Sequence, residues 1–330
     1  MSGYMAARKL DPREQHFRIP GPRKGLSLFL RFLAGANAAS PVRRTVLYVH
    51  GATFPSALSI AYRFEGTSWR DVLNKAGFDV WGLDFHGFGQ SDRYPEMNEP
   101  AQSHPPLGIA QEAAKQIEAA VRFILAHQGV ERISLISHSW GSMPTGIFAA
   151  AFPALLDRLV FFAPIVRREP PNDQPPPAFP AWRIVTPEDQ WNRFIEDVPV
   201  NEPPVLSRLH FEEWSELYLD SDPESRSRDP VGVKTPLGPA SDILKAWHGQ
   251  FAYDPAEIRS PVAIIRGEWD RLTRDDDACW LFNAFRHAPV KRDIKIGRGT
   301  HLMHLETTRP ALWRECVCFL QGDDLAPIPS

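Results

Sequence analysis

Six short apolar runs, separated by longer amphipathic stretches, leave this chain few folds to choose from. They are RTVLYVH (44–50), FDVWGLDF (78–85), RISLISHS (132–139), RLVFFAP (158–164), PVAIIRGE (261–268) and KRDIKIG (291–297). Most are apolar nearly throughout rather than alternating, which marks strands covered on both faces. Between them fall helical patterns near 66–76, 108–128, 140–152, 274–286 and 309–321. The clearest is GIAQEAAKQIEAAVRFILAHQG, with Ile109, Ala113, Ile117, Ala120, Val121 and Ile124 on one stripe. Such alternation builds βαβ units around a parallel sheet. Residues 14–35 add two leading strands in a hairpin and bring the sheet to eight. With 330 residues, 43% of them hydrophobic, one large α/β unit plus an insertion is affordable in core volume.

The rhythm breaks at residues 165–250, which hold 14 of the 32 prolines and no convincing buried strand. They carry short helical patterns instead, TPEDQWNRFIEDV (186–198), FEEWSELYL (211–219) and SDILKAW (241–247), and four of the ten tryptophans, Trp182, Trp191, Trp214 and Trp247. A Pro-rich, aromatic, helical insertion after the sixth strand reads as a cap over a site. The expected division is therefore a core of residues 1–164 and 251–330, with a cap of residues 165–250.

A net charge of -3 gives no electrostatic case for nucleic acid or an anionic membrane. The amino-terminal MSGYMAARKLDPREQHF lacks the apolar core of a signal peptide, and GLSLFLRFLAGA (25–36) is short and broken by Arg31. No stable membrane insertion is expected, and a cytoplasmic location is the default. Cys279, Cys316 and Cys318 form an odd set without CxxC spacing, in segments that read as helical. Buried reduced thiols are expected there, rather than a disulfide framework or a zinc site.

The chemistry centres on SHSWGS (137–142). A small-x-Ser-x-small pattern is weak alone, and Ala57-Leu58-Ser59-Ile60-Ala61 matches it equally well. Context separates the two. Ser139 follows RISLIS and precedes MPTGIFAAAFP, a strand, sharp turn and helix that would lift its hydroxyl clear of the sheet. The flanking residues must be small because backbone passes close, and Ser137 and Gly141 both qualify. Ser59 has no such preceding strand.

A serine nucleophile needs a base, and the base an orienting acid. WDRLT follows PVAIIRGE and puts Asp270 beyond a strand's carboxyl end, where ligands gather in open α/β sheets. RGTHLMHLE follows KRDIKIG and puts His301 beyond the last strand. Glu268 is the rival acid, but it sits at the strand's end; Asp275, Asp276 and Asp277 read as a charged first helical turn. His304 is the rival base, three residues deeper beside Glu306, where a packing role fits better. His301 and His304 lack the HExxH pattern and third ligand of a zinc site. His50 and His138 read as structural residues that hold loops.

Taken with YVHGATFPS (48–56) and DFHGFGQSDR (84–93), these motifs make the chain similar to the α/β-hydrolase superfamily, in its capped, serine-nucleophile branch. HGATF resembles that family's oxyanion loop, and DFHGFGQSDR its D-x-x-G-x-G-x-S loop. SHSWGS, GEWDRLT and GTHLMHLE resemble its nucleophile, acid and histidine motifs. The resemblance implies an eight-stranded, mostly parallel sheet flanked by helices, a triad of Ser139, His301 and Asp270, and oxyanion donors in the N–H groups of Ala52 and Trp140. It implies a carboxylic ester hydrolase that works through an acyl-enzyme and needs no metal or organic cofactor.

Some branches are disfavoured. Haloalkane dehalogenases and epoxide hydrolases carry Asp where this chain has Ser139. Proline iminopeptidases carry HGGPG where it has HGATF. Carbon–carbon hydrolases, an aminopeptidase-like amidase, perhydrolases and a non-catalytic small-molecule receptor stay open as alternatives, because this fold hosts many functions. The expected partner is a small-molecule ester, with a homodimer left open. Phe54, Trp140, Trp182, Trp191, Trp214 and Trp247 are candidate pocket walls, aromatic surface being usual in such pockets.

Overall fold

Successive residues of the central strands send their side chains to opposite faces of one sheet, which is why those strands are apolar throughout. The computed structural model describes residues 10–36, 44–170 and 175–322, so residues 1–9 of the amino-terminal stretch lie outside it. The strands are β1 (Gln15–Pro20), β2 (Ser27–Leu33), β3 (Arg44–Val49), β4 (Phe78–Asp84), β5 (Ile133–His138), β6 (Leu156–Phe162), β9 (Val262–Gly267) and β10 (Lys291–Ile296). They form an eight-stranded sheet in the order β1-β2-β4-β3-β5-β6-β9-β10. β1 and β2 are the antiparallel hairpin expected from residues 14–35, and β2 is also antiparallel to β4. All other neighbours run parallel. GLSLFLRFLAGA is thus a sheet strand, and no helix among the described residues is long and apolar enough to cross a membrane. Arg31 within it is buried and tolerated because Glu14 accepts from Nη1 at 2.6 Å and Ser56 Oγ from Nε at 2.7 Å.

Five helices cover the sheet: α1 (Trp69–Lys75), α2 (Ala110–Gln128), α3 (Ser142–Ala151), α7 (Asp275–Ala284) and α8 (Arg309–Gln321). Val46, Tyr48, Ile136, Val160, Ala263 and Ile265 pack with Trp69 and Leu73 of α1 and Leu312, Cys316 and Phe319 of α8. Leu47, Val49, Leu135, Leu159, Phe161 and Ile264 face the other way, onto α2, α3 and α7. α2 buries Ala113, Ile117, Ala120, Val121 and Ile124 as its stripe predicts, and stops at Gly129, whose left-handed φ of 65° closes the helix.

Between β6 and β9 lies the insertion, with α4 (Pro187–Ile195), α5 (Arg208–Asp220) and α6 (Gly238–Trp247) close to the three expected patterns. Residues 165–250, expected to hold no buried strand, contain two short ones. β7 (Trp182–Val185) and β8 (Val233–Pro236) pair as an antiparallel ribbon, with Trp182 opposite Pro236 and Val185 opposite Val233. The insertion shares an apolar cluster with the core, in which Phe194, Phe211, Trp214 and Tyr218 meet Phe54, Leu58, Tyr62 and Leu302.

The cysteines differ from the expected buried set. All three are free and helical, but only Cys316 is buried; Cys279 and Cys318 are exposed. Residues two apart on a helix point to different sides, so Cys318 turns away from the face that Cys316 presents to the sheet.

Candidate active site

The turn after β5 bends sharply at Ser139, whose φ of 54° is left-handed and rare for a residue with a side chain. Such a conformation costs on the order of 1–2 kcal/mol and persists because its surroundings impose it. Those surroundings are tight. A Cβ on Gly141 would sit 2.5 Å from the His50 carbonyl oxygen, and one on Gly51 3.3 Å from the Ser139 Cβ. Ser137 fits at the other small position, fully buried, with a hydroxyl that finds no hydrogen-bond partner among the described residues. Ser59 instead lies in a loop and donates to the Pro55 carbonyl at 3.1 Å.

Asp270 and His301 arrive from the ends of β9 and β10. Those two ends converge because both carry glycine: a Cβ on Gly267 would fall 2.1 Å from the Gly299 carbonyl oxygen. Trp269 N–H donates to that same carbonyl at 2.9 Å. The structure brings the three expected residues together. His301 Nε2 lies 2.7 Å from Ser139 Oγ, and its Nδ1 lies 3.0 Å from each carboxylate oxygen of Asp270. All three side chains belong to buried residues. Burial alone would raise the Asp270 pKa, but the His301 imidazole and the N–H groups of Thr273 and Leu272 hold it below its ordinary value. Those two N–H groups donate to Oδ1 at 2.9 and 2.8 Å. A carboxylate kept ionised against Nδ1 fixes the tautomer that leaves Nε2 free to accept from the serine.

The rivals stand apart. Glu268 accepts from the Arg298 N–H at 2.9 Å. Asp275, Asp276 and Asp277 open α7, as a charged first turn should. His304 is buried in a short 3-10 turn, its ring centroid 4.6 Å from that of His138, and burial pushes its pKa down to about 3. His50 donates from Nδ1 to the Gly51 carbonyl at 2.7 Å and accepts the Phe85 N–H at Nε2 at 3.1 Å. His138 Nε2 donates to the His301 carbonyl at 3.0 Å, tying the serine's strand to the histidine's loop. The DFHGFGQSDR loop braces the HGATF loop from behind, since Asp84 accepts the Ser56 N–H at 3.0 Å and the Gln90 N–H at 3.1 Å. No group of three or more His, Cys, Asp or Glu among the described residues is arranged to hold a metal ion.

A pocket of about 190 Å³ opens above Ser139 and His301, and Ala52, Phe54 and Trp247 line it. The other aromatic candidates point elsewhere. Trp214 is buried in the cluster between insertion and core, donating from Nε1 to the Leu58 carbonyl at 3.0 Å. Trp191 packs edge-on against Phe211, and Trp182 lies under Lys234 with its Nε1 donating to the Glu99 carbonyl at 3.1 Å. The Trp140 indole turns into the core, where its Nε1 donates to Asp242 Oδ2 at 3.0 Å; that oxygen also accepts the Ala110 N–H at 2.6 Å. Only the backbone of Trp140 is placed beside the serine. Sequence reasoning missed Arg183, Gln190 and Arg193, which also line the pocket. Gln190 and Arg193 are three apart on α4 and so share one face, the one signal available for them.

A family model described as alpha/beta hydrolase fold matches residues 44–308. No curated protein matches the chain in sequence. Among solved structures, a serine hydrolase from the polyaromatic hydrocarbon-degrading bacterium Cycloclasticus zankles is similar at a TM-score of 0.61 and 14% identity, over 94% of this chain and 99% of that one. A monoacylglycerol lipase from Paleococcus ferrophilus gives 0.54 and 18%, over 89% and 98%. An epoxide hydrolase from Vigna radiata gives 0.59 and 14%, over 94% and 98%. At such identities the likeness speaks to fold alone, and it agrees with strand order, turn and family match: the chain belongs to the alpha/beta hydrolase fold family.

Proposed function

We propose that this protein is a serine hydrolase that cleaves a carboxylic ester through an acyl-enzyme. The observation that carries the reading is the continuous hydrogen-bonded chain Ser139–His301–Asp270 beneath a pocket. His301 Nε2 takes the Ser139 proton as Oγ attacks the ester carbonyl, and Asp270 stabilises the imidazolium that forms. The N–H groups of Ala52 and Trp140 receive the developing oxyanion, a contribution of about 10² to 10³ in rate per donor. His301 returns the proton to the leaving alkoxide. Water then attacks the acyl-enzyme with the same base, and the acid leaves. Residues 165–250 act as the cap, with α4 and α6 both contributing residues to the pocket lining.

The test is labelling by a neutral fluorophosphonate probe, together with hydrolysis of p-nitrophenyl esters of graded acyl length. Both are expected in the parent and lost in Ser139→Ala. A folded parent that shows no Ser139-dependent labelling refutes the reading. Preference for an amide or a β-diketone over every ester would move the activity to the peptidase or carbon–carbon branch.

A further inference from the structure

The pocket above Ser139 has two kinds of wall. One part of its lining is apolar, with Ala52, Phe54, Ile243 and Leu272; another is polar, with Arg183 of β7 and Gln190 and Arg193 of α4. No Asp or Glu is among the described residues that line it, so the two arginines of a mostly apolar cavity have no lining counter-charge. Arg183 makes no hydrogen bond or ion pair with a described residue, and it is close enough to Arg193 to repel it. Burial presses the Arg193 pKa down, with Asp197 and Asp270 as a partial offset. Arg193 pairs with Glu196 one turn along α4.

Gln190 carries the independent observation. It has no exposed surface, lines the pocket, and neither its carboxamide oxygen nor its nitrogen completes a well-formed hydrogen bond with a described residue. The Tyr218 hydroxyl comes near enough to the Gln190 amide to interact with it, but gives its one proton to the Val185 carbonyl at 3.2 Å. A buried amide left unbonded is costly unless a ligand satisfies it.

From this wall we infer an anion subsite: the substrate is an ester that carries a carboxylate remote from the scissile carbonyl, gripped by Arg183 and Arg193 and hydrogen-bonded by Gln190. A guanidinium presents a planar fork that matches a carboxylate edge on. The charge count selects a monoanion. Arg193 is already set against Glu196, Asp197 and Asp270, so among the described lining residues Arg183 is the one uncompensated cation, which one carboxylate balances and a phosphate near charge -2 overshoots. The inference rests on the serine hydrolase reading, and its test is chosen to separate the two.

The assay compares kcat/KM for mono-p-nitrophenyl adipate and p-nitrophenyl hexanoate, which share acyl length and scissile bond. A second pair, p-acetoxyphenylacetate against p-tolyl acetate, moves the carboxylate to the alcohol half. In at least one pair the parent is expected to favour the anionic ester about tenfold or more, the effect of a charged hydrogen bond. That ratio should fall about tenfold in Arg183→Gln and in Arg193→Gln, stay partly retained in Arg183→Lys, and narrow in about 0.5 M NaCl. Because it is a ratio, it is independent of the fraction of active protein, and exposed Arg183 serves if the Arg193 variant fails to fold. A parent that prefers the neutral ester in both pairs, or a ratio unmoved in the Gln variants, overturns the subsite. Absent Ser139 labelling overturns the underlying hydrolase reading; intact labelling with a flat ratio overturns the subsite alone.

Discussion

Glu306 lies in the turn behind His301 with no exposed surface, and Thr300 donates to its carboxyl group from both Oγ1 and backbone N–H. Burial pushes its pKa up from an ordinary 4.5 to about 8; Asp197 and Asp270 add to the shift, and the Thr300 bonds oppose it. The native state therefore keeps a proton that the unfolded chain releases above pH 4.5. Between that pH and about 8, the unfolded state binds fewer protons, so stability falls as pH rises. At about 1.4 kcal/mol per pKa unit, the full loss approaches 5 kcal/mol on the alkaline side. Glu306→Gln has no proton to lose and keeps a carbonyl oxygen for Thr300. The variant should match the parent near pH 4.5 and exceed it by several kcal/mol near pH 8.5. Urea unfolding followed by tryptophan fluorescence at stepped pH measures this directly, since titrating groups that do not interact with Glu306 cancel in the difference. A parent–variant difference that stays constant from about pH 5 to about pH 8.5 would refute the reasoning.

Two further outcomes follow from the site itself. Asp270→Asn removes the charge that fixes the His301 tautomer, so kcat should fall by about 10⁴; an esterase rate within tenfold of the parent would remove Asp270 from the mechanism. Gly141→Ala places a methyl group against the His50 backbone carbonyl, where neither side can yield without moving the turn. Displacing the Trp140 N–H should cost about 10² in kcat/KM among correctly folded molecules, counted by active-site titration with the fluorophosphonate.

The core was legible because its signals are local. An apolar run such as PVAIIRGE can only be a covered strand, and it appears as β9 within a residue or two. Ser139, Asp270 and His301 were legible because each follows its own strand, and a parallel sheet brings such loops to one edge. The insertion was harder. β7 and β8 are four residues each, one ends in proline, and their pairing spans about fifty residues of chain, so no local pattern announces them. The tryptophans misled for a different reason. Composition says that a large ring will be buried but not where, and Trp214 serves the contact between insertion and core rather than the pocket. Conversely, polar residues on a helix read as a solvated face. Gln190 and Arg193 turn inward only because the core lies beneath them, which periodicity alone does not reveal.

The two hydrogen bonds converging on Asp242 Oδ2 form a mechanical joint. One oxygen on α6 holds both the first amide of α2 and the indole of the residue that follows the serine. A shift of α6 that kept this bond would carry the Trp140 indole with it, and the N–H of Trp140 faces the reacting carbonyl in the proposed mechanism. Under the proposed mechanism, the placement of α6 and the alignment of the Trp140 N–H are coupled through this one carboxylate oxygen.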